Sequence, residues 1–366
     1  MIPIAKPLIS DEEINAVTEV LKSGMLASGK EVKEFEKEFA QYLGAKHGIA
    51  VVNGTAALDV ALRALKIGPG DEVITTPFTF IASANAILFQ GARPVFADID
   101  PKTYNLDPND VLEKITDKTK AIVVVHLYGQ PADMKAFKEI AEDYKLYLVE
   151  DCAQAHGAEF EGQKVGTFGD IAAFSFYPTK NMTTGEGGMV VTNNDELAKR
   201  ADLIRNHGQA EKYLHVELGY NLRMTNINAA IGRVQLRRLD AWNEKRIENA
   251  KLLSEGISKI DGLTPPYVDE RAKHVFHQYV IRVEDDFPLI RDELMTKLRE
   301  KGIGNAIHYP IPVHHQPFYQ KLGYPKDICP NAIEVSKRVL SLPVHPAVSE
   351  EDIAYIVSTL KMLYES

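Results

Sequence analysis

The chain is poor in cysteine, with only Cys152 and Cys329 in 366 residues. Two thiols can build neither a disulfide framework nor a four-cysteine zinc site. No run of 18 apolar residues occurs, so no segment is a candidate for a bilayer-spanning helix. Met1–Ser10 lacks an apolar core of signal-peptide length, and the location expected on that ground is the cytoplasm. Positive charge is also in deficit: 42 Lys+Arg stand against 51 Asp+Glu, a net charge of −9. Such a surface does not favour a phosphate backbone or an anionic membrane, which argues against nucleic-acid and membrane partners. There is no internal repeat and no low-complexity tract.

What is present is globular. Hydrophobic residues make up 45% and charged residues 25%, values that exclude a disordered chain. At about 150 residues per domain, the length suggests two or three domains. Ser10-Asp11-Glu12-Glu13 is a capping box, and Ile14, Val17, Val20 and Leu21 follow at helical spacing, so residues 10–43 read as two helices. From about residue 48 to 192, β-branched runs (48–53, 72–75, 94–99, 121–127, 146–150, 171–176, 188–192) alternate with helical stretches. This is an α/β layer with a mostly parallel sheet. Val123-Val124-Val125 and Tyr147-Leu148-Val149 do not alternate, as in strands covered on both faces. After Asp195 the strands stop; 195–207 and about 224–256 read as helices. Beyond the break at Pro265-Pro266, residues 275–366 read as a smaller α+β unit with one strand pair, a helix at 288–301, a Pro-rich loop at 308–317 and two closing helices. The expected domains are 1–250 and 251–366.

Several segments could carry chemistry. Gly24-x4-Gly29-Lys30 approaches a phosphate-binding P-loop, but Glu31 stands where Ser/Thr would hold magnesium, and a helix rather than a strand precedes it. A helix-to-helix turn is the better reading; an NTP-binding protein is the corresponding rival function. Asn53-Gly54-Thr55-Ala56 follows a strand and opens a helix, so it is either an anion site or a plain N-cap. Asp151 ends a buried strand, at the edge where open α/β sheets bind ligands; it is either a site carboxylate or a turn cap. Lys180 lies in a turn between Phe174-Ser175-Phe176 and the segment Gly185-Glu186-Gly187-Gly188. A lysine in a dry pocket can lose its proton and form a Schiff base, and a Gly-rich run lets backbone approach a flat ring. His126 and His156 read as packing or hydrogen-bonding groups. His308, His314, His315 and His345 lack metal-ligand spacing, so no metal is expected. Asp98, Asp100, Asp107 and Asp110 read as a solvated turn rather than a calcium loop.

In their order and spacing these segments, with Gly219-Tyr220-Asn221-Leu222-Arg223 and His308-Tyr309-Pro310-Ile311-Pro312, resemble the fold-type-I pyridoxal-phosphate (PLP) enzymes. Within these the chain is similar, over essentially its whole length, to the DegT-type (DegT/DnrJ/EryC/StrS) sugar-nucleotide aminotransferases. The resemblance implies an α/β fold of PLP type I: a mostly parallel central sheet with helices on both faces, and a smaller C-terminal α+β domain. It implies pyridoxal 5'-phosphate as cofactor, Lys180 as the Schiff-base lysine and proton carrier, and Asp151 as partner of the pyridine nitrogen. It further implies Gly54, Thr55, Ala56 and Ser175 around the phosphate, Phe80 on the ring and Gln154 at the 3-hydroxyl. Asn221 would reach the cofactor of a neighbouring subunit, making a homodimer with shared sites. His308 and Tyr309 would face a nucleotide sugar. The activity implied is amino transfer from an amino acid, glutamate, to a UDP-linked 3-keto sugar or 3-keto uronic acid. Lysine rather than histidine at position 180 argues against the family's dehydratases. Rival readings are a 4-keto-sugar or inosose aminotransferase, and a PLP-binding regulator without turnover.

Overall fold

The computed structural model describes residues 1–365; Ser366, the end of the expected small domain, lies outside the described residues. Helices α1 (Asp11–Ser23) and α2 (Lys30–Leu43) come first. The Ser10 cap closes as the sequence suggests, with Ser10 N–H donating to Glu13 at 2.9 Å. Gly24, at φ 70°, terminates α1, so the P-loop-like segment joins two helices.

The next strands and helices are β1 (His47–Val51), α3 (Gly54–Ala64), β2 (Glu72–Thr75), α4 (Ala82–Phe89), β3 (Arg93–Phe96), α5 (Pro108–Lys114), β4 (Thr119–Val125), α6 (Met134–Tyr144) and β5 (Tyr147–Asp151). A short hairpin, β6 (Glu159–Phe160) and β7 (Gln163–Lys164), precedes β8 (Ile171–Ser175) and β9 (Gly188–Thr192). The main sheet has the order β1-β9-β8-β5-β4-β2-β3. The pairs β3/β2, β2/β4, β4/β5 and β5/β8 are parallel, whereas β9 pairs antiparallel with both β8 and β1, so it alone runs against the other six.

This topology determines where the site forms. The C-terminal ends of β2, β4, β5 and β8 lie along one sheet edge. Because β9 is reversed, its start joins them: Gly188 is in register with Ser175 on one side and Val51 on the other. The first residues of α3 therefore meet the ends of β5 and β8.

Both faces of the sheet are covered. On one, α3 packs Leu58, Ala61 and Leu62 against Val73, Val123, Val149 and Val190. On the other, Phe35 and Phe39 of α2 meet Phe174 and Phe176, with Phe39 and Phe174 edge-to-face at 5.0 Å. Each such phenylalanine contributes about 1.5–3 kcal/mol of burial. The sheet's helices are thus held by contact with strands that are apolar on both sides, as Val123-Val124-Val125 suggested.

After α7 (Asp195–Arg205) the strands do not stop entirely, as the sequence had suggested. A small hairpin, β10 (Gln209–Glu211) and β11 (Leu214–His215), exposes Tyr213, Val216 and Leu218. Its two short strands are bridged by a bulge and carry no alternating pattern to reveal them. Helix α8 (Asn226–Ile257) then runs unbroken past position 250, placing Ala229 and Leu239 in the sheet core and Ala250, Leu253 and Ile257 in a second core.

That second core is built on β12 (Leu263–Thr264), β14 (Tyr279–Val283) and β15 (Val339–Leu342), while β13 (Ala272–Lys273) joins β6. Helices α9 (Arg291–Glu300) and α12 (Glu350–Tyr364) complete it, whereas α10 (Pro317–Lys321) and α11 (Pro330–Arg338) pack Tyr319, Ala332 and Val335 into another cluster with Phe78 and Phe96. The N-terminus docks on the second core too: Ile2 N–H donates to Gly302 at 2.8 Å and Gly304 N–H to Ile2 at 2.7 Å. Asp98 is buried rather than part of a solvated turn. Its carboxylate accepts the Asn331 and Ala332 N–H groups at 2.9 and 3.0 Å, capping α11. The donors lie more than 230 residues downstream, which is why local sequence could not show the contact.

Candidate active site

The edge defined by β2, β4, β5 and β8 opens into a cavity of about 740 Å³. Its wall includes Gly54, Thr55, Phe80, Asp151, Gln154, Ser175, Lys180, His308 and Tyr309. Residues spread over more than 250 positions of the chain thus share one space.

Asp151 ends β5 and is 4% exposed. Ser83 Oγ donates to its Oδ2 at 2.7 Å, and Ala153 N–H to its Oδ1 at 3.1 Å. Burial pushes the Asp151 carboxyl above its usual range; these two hydrogen bonds and the Lys180 charge oppose the shift. Lys180 sits in the turn after β8, its N–H donating to Tyr177 carbonyl at 2.9 Å. Burial brings its amine down to about 8, against the pull of Asp151. Among the described residues, the Lys180 amine has no hydrogen-bond or ion-pair partner.

At the other end of the cavity, α3 begins against β8. A Cβ on Gly54 would lie 2.5 Å from Ser175 Cβ, so only glycine permits this approach. Gly188 is equally constrained, since a Cβ there would lie 2.3 Å from the Asn53 carbonyl oxygen. Asn53 Oδ1 accepts the Ala56 N–H at 2.8 Å. Ala56 is therefore occupied by the helix cap and packs into the sheet core, outside the cavity wall. Gly54 and Thr55 keep their N–H groups free of acceptors among the described residues. Together with the Thr55 and Ser175 hydroxyls they form a cradle for an anion at a helix N-terminus.

Phe80 stands at the mouth, 57% exposed, 6.4 Å from the Tyr309 ring. Gln154 is held from both ends: Tyr128 N–H donates to its Oε1 at 2.8 Å, and its Nε2 donates to Tyr309 Oη at 3.0 Å. Burial pushes the Tyr309 phenol up, so it keeps its proton. His308 Nδ1 lies 2.8 Å from Ser341 Oγ; burial and then the Lys180 charge bring its ring down to about 4, so it is neutral near pH 7. Tyr128 Oη donates to the His308 carbonyl.

Asn221 is exposed and does not line this cavity; it bridges to Asn206 on the segment that runs beside the end of β1. The other C-terminal histidines disperse. His345 lies 2.9 Å from the Pro3 carbonyl and His315 2.7 Å from that of Lys326, while His314 is buried with its ring 6.0 Å from that of Phe96.

His126 and His156 are interior. His126 accepts the Ala132 N–H on Nδ1 and meets Glu150 through Nε2 at 3.1 Å. His156 lies between Phe174 and Phe176, brought down to about 3 by burial and then Lys180. His126, Glu150 and Cys152 form a buried group of metal-ligand composition. However, the Glu150 oxygens already accept three backbone N–H groups, of Gly166, Phe168 and Gly169, at 2.7–2.8 Å.

The cavity wall also includes Asn53, first residue of the candidate anion-binding segment, and Thr79, Ser83, Glu186, His277 and Gln278, which the sequence did not single out. None of these last five has a local signal. The wall fits PLP: an anion cradle where only glycine is tolerated, a buried carboxylate and a lysine with a lowered pKa face one cavity.

The DegT/DnrJ/EryC1/StrS aminotransferase family model matches residues 7–361. A pleiotropic regulatory protein of Geobacillus stearothermophilus is 46% identical, over 97% of this chain and 95% of its own length. A UDP-N-acetyl-3-dehydro-alpha-D-glucosamine 3-aminotransferase of Acidithiobacillus ferrooxidans is 42% identical, over 96% of this chain and 94% of its own. Among solved structures, S. venezuelae DesV in complex with a ketimine intermediate superposes with a TM-score of 0.94 at 39% identity, covering 100% of this chain and 99% of that one. No helix of the described residues is long and apolar enough to cross a membrane. The chain belongs to the DegT/DnrJ/EryC1/StrS aminotransferase family, and is a PLP-dependent aminotransferase of PLP fold type I.

Proposed function

We propose that the protein transfers the amino group of an amino acid, glutamate, to the keto carbon of a UDP-linked 3-keto sugar or 3-keto uronic acid. The observation that carries this reading is the convergence of Lys180, Asp151 and the Gly54–Thr55–Ser175 cradle on one cavity. Its volume, about 740 Å³, suits a cofactor and a sugar together.

When bound, PLP supplies an electron sink for the carbon whose proton is moved. The chain's own residues do the rest. The free N–H groups of Gly54 and Thr55, with the two hydroxyls, hold the phosphate by local positive potential on a chain of net charge −9. With PLP in place, Asp151 would be the charge partner of its pyridine nitrogen, Phe80 would cover the ring, and Gln154 would stand nearest the 3-hydroxyl. Lys180 Nζ would hold the cofactor and supply the base and acid that move the donor's proton. A pKa near 8 suits both halves of that task. Tyr309 and His308, each neutral near pH 7, present hydrogen-bonding groups to the sugar. Asn221, exposed in the single chain, completes the site of a second copy in a homodimer. The location proposed is the cytoplasm.

The relatives' names divide between UDP-, dTDP- and GDP-linked sugars, so the UDP assignment rests on the 3-aminotransferase relative and on the His308–Tyr309 loop. Incubation of the PLP-loaded protein with glutamate and a panel of UDP-, dTDP- and GDP-linked keto sugars tests it. Amination of a UDP-linked 3-keto sugar in preference to the others supports the assignment, and preference for a 4-keto sugar overturns it.

A further inference from the structure

A carboxylate as buried as Asp151 is costly to keep charged unless donors hold it. One donor, Ala153 N–H, comes from its own strand end. The other comes from a different element, 68 residues away: Ser83, in the first turn of α4, 2% exposed, with its Oγ 2.7 Å from Asp151 Oδ2. A serine hydroxyl has a single proton. With that proton given to Asp151, the 3.2 Å contact between Thr79 Oγ1 and Ser83 Oγ is donated by Thr79. Thr79, Ser83 and Asp151 thus form a chain of hydroxyls pointing one way, toward the carboxylate, each polarising the next. All three line the cavity.

We propose that Ser83, backed by Thr79, is a positioning residue for the reaction: it fixes the rotamer of the Asp151 carboxylate and keeps it ionised beneath the cofactor ring. This rests on the reading of Asp151 as partner of the ring nitrogen. The other groups around Asp151 cannot replace Ser83. Lys180 belongs to the turn after β8 and is itself engaged in the reaction. His126, at the end of β4, has its ring nitrogens directed to Glu150 and Ala132. Tyr309 accepts from Gln154. Glu150 and Cys152, adjacent along the chain, offer no positive charge. Ser83 lowers the Asp151 pKa, so its removal lets that pKa rise, and the carboxyl takes up its proton at higher pH.

The test compares Ser83→Ala, Ser83→Thr, Thr79→Val and Asp151→Asn with the parent. It reads the PLP affinity of the cofactor-free protein by equilibrium dialysis, and the pH response of the visible band of the loaded protein. Ser83→Ala should bind PLP about ten-fold or more weakly, the loss expected for a hydrogen bond to a charged group. The acid-side midpoint of its band should move to higher pH. Ser83→Thr, which keeps the hydroxyl, should restore both, and Thr79→Val should show a smaller effect in the same direction. Parent-like affinity and pH response in Ser83→Ala would overturn the proposal. So would a Ser83→Thr variant as defective as Ser83→Ala, which would make shape rather than the hydroxyl decisive. A parent-like Thr79→Val removes Thr79 from it. If Asp151→Asn is impaired and Ser83→Ala is not, the proposal alone fails; if Asp151→Asn also matches the parent, the reading of Asp151 fails with it.

Discussion

Gly54 lies so close to Ser175 that a Cβ on it would come within 2.5 Å of the serine's own Cβ and 2.9 Å of its hydroxyl. The start of α3 and the end of β8 are in contact because a strand, β9, has reversed direction between β8 and β1 and brought both to the same edge. Gly54→Ala should therefore push α3 away from Ser175 and open the cradle. Overpacking of this kind costs about 1–3 kcal/mol. The expected outcome is PLP affinity weakened by ten-fold or more, with a smaller loss of thermal stability in the cofactor-free protein. Unchanged affinity by equilibrium dialysis would show that the cradle does not hold the phosphate.

Lys180 gives a pH prediction. Its amine is lowered from 10.5 to about 8 by burial, so the charged form is disfavoured and the neutral, nucleophilic form appears at lower pH. At pH 7 roughly one amine in ten is neutral, against on the order of one in three thousand for an ordinary lysine. Covalent capture of PLP by the cofactor-free protein should accelerate with pH and level off above about 8. Acceleration continuing past pH 10 would mean an unperturbed lysine. Lys180→Ala and Lys180→Arg should abolish the visible band near ~420 nm expected of a Schiff-base lysine.

Glu150 is predicted to hold structure rather than chemistry. It accepts N–H groups from Gly166, Phe168 and Gly169, pinning that turn under β5 beside Asp151. Glu150→Gln forces an amide NH₂ to face at least one of these donors. The expected loss is about 2–4 kcal/mol, seen as a lower melting temperature of the cofactor-free protein. A melting temperature equal to the parent's would contradict this.

The proposed homodimer can be tested by mixing variants. If Asn221 serves the site of a second copy, Lys180→Ala and Asn221→Ala place their defects in different subunits of a mixed site. Each variant alone should be strongly impaired. Dissociated and reassembled together, they should recover about a quarter of parental activity, since random pairing makes half the dimers mixed and each of those carries one intact site. No recovery would mean that each chain builds its site alone.

The legibility of the sequence follows the range of the interactions. The strands of the main sheet and the helices between them were readable because apolar runs and caps are local: Ser10–Glu13 is one case, Val123–Val125 another. Lys180 and Asp151 were readable because strand ends followed by turns mark the binding edge of an α/β sheet. The hairpin of β6 and β7, two residues per strand, is too short for a period to show. Ser83 became visible only through its contact with Asp151. Asp98 was misread as solvated because its donors, Asn331 and Ala332, come from the other end of the chain. The Ala56 N–H meets the Asn53 side chain, a capping contact that spacing alone does not reveal.

Amino transfer through Lys180 to a nucleotide-linked sugar is read out by following the nitrogen. The PLP-loaded protein is mixed with ¹⁵N-glutamate, then with a UDP-linked 3-keto sugar, and absorption and product mass are followed together. The visible band should be lost on adding glutamate and return on adding the sugar, ¹⁵N should appear in the sugar product, and none of these should occur in Lys180→Ala. A band that glutamate leaves unchanged, with no ¹⁵N in any nucleotide sugar, would contradict amino transfer through Lys180.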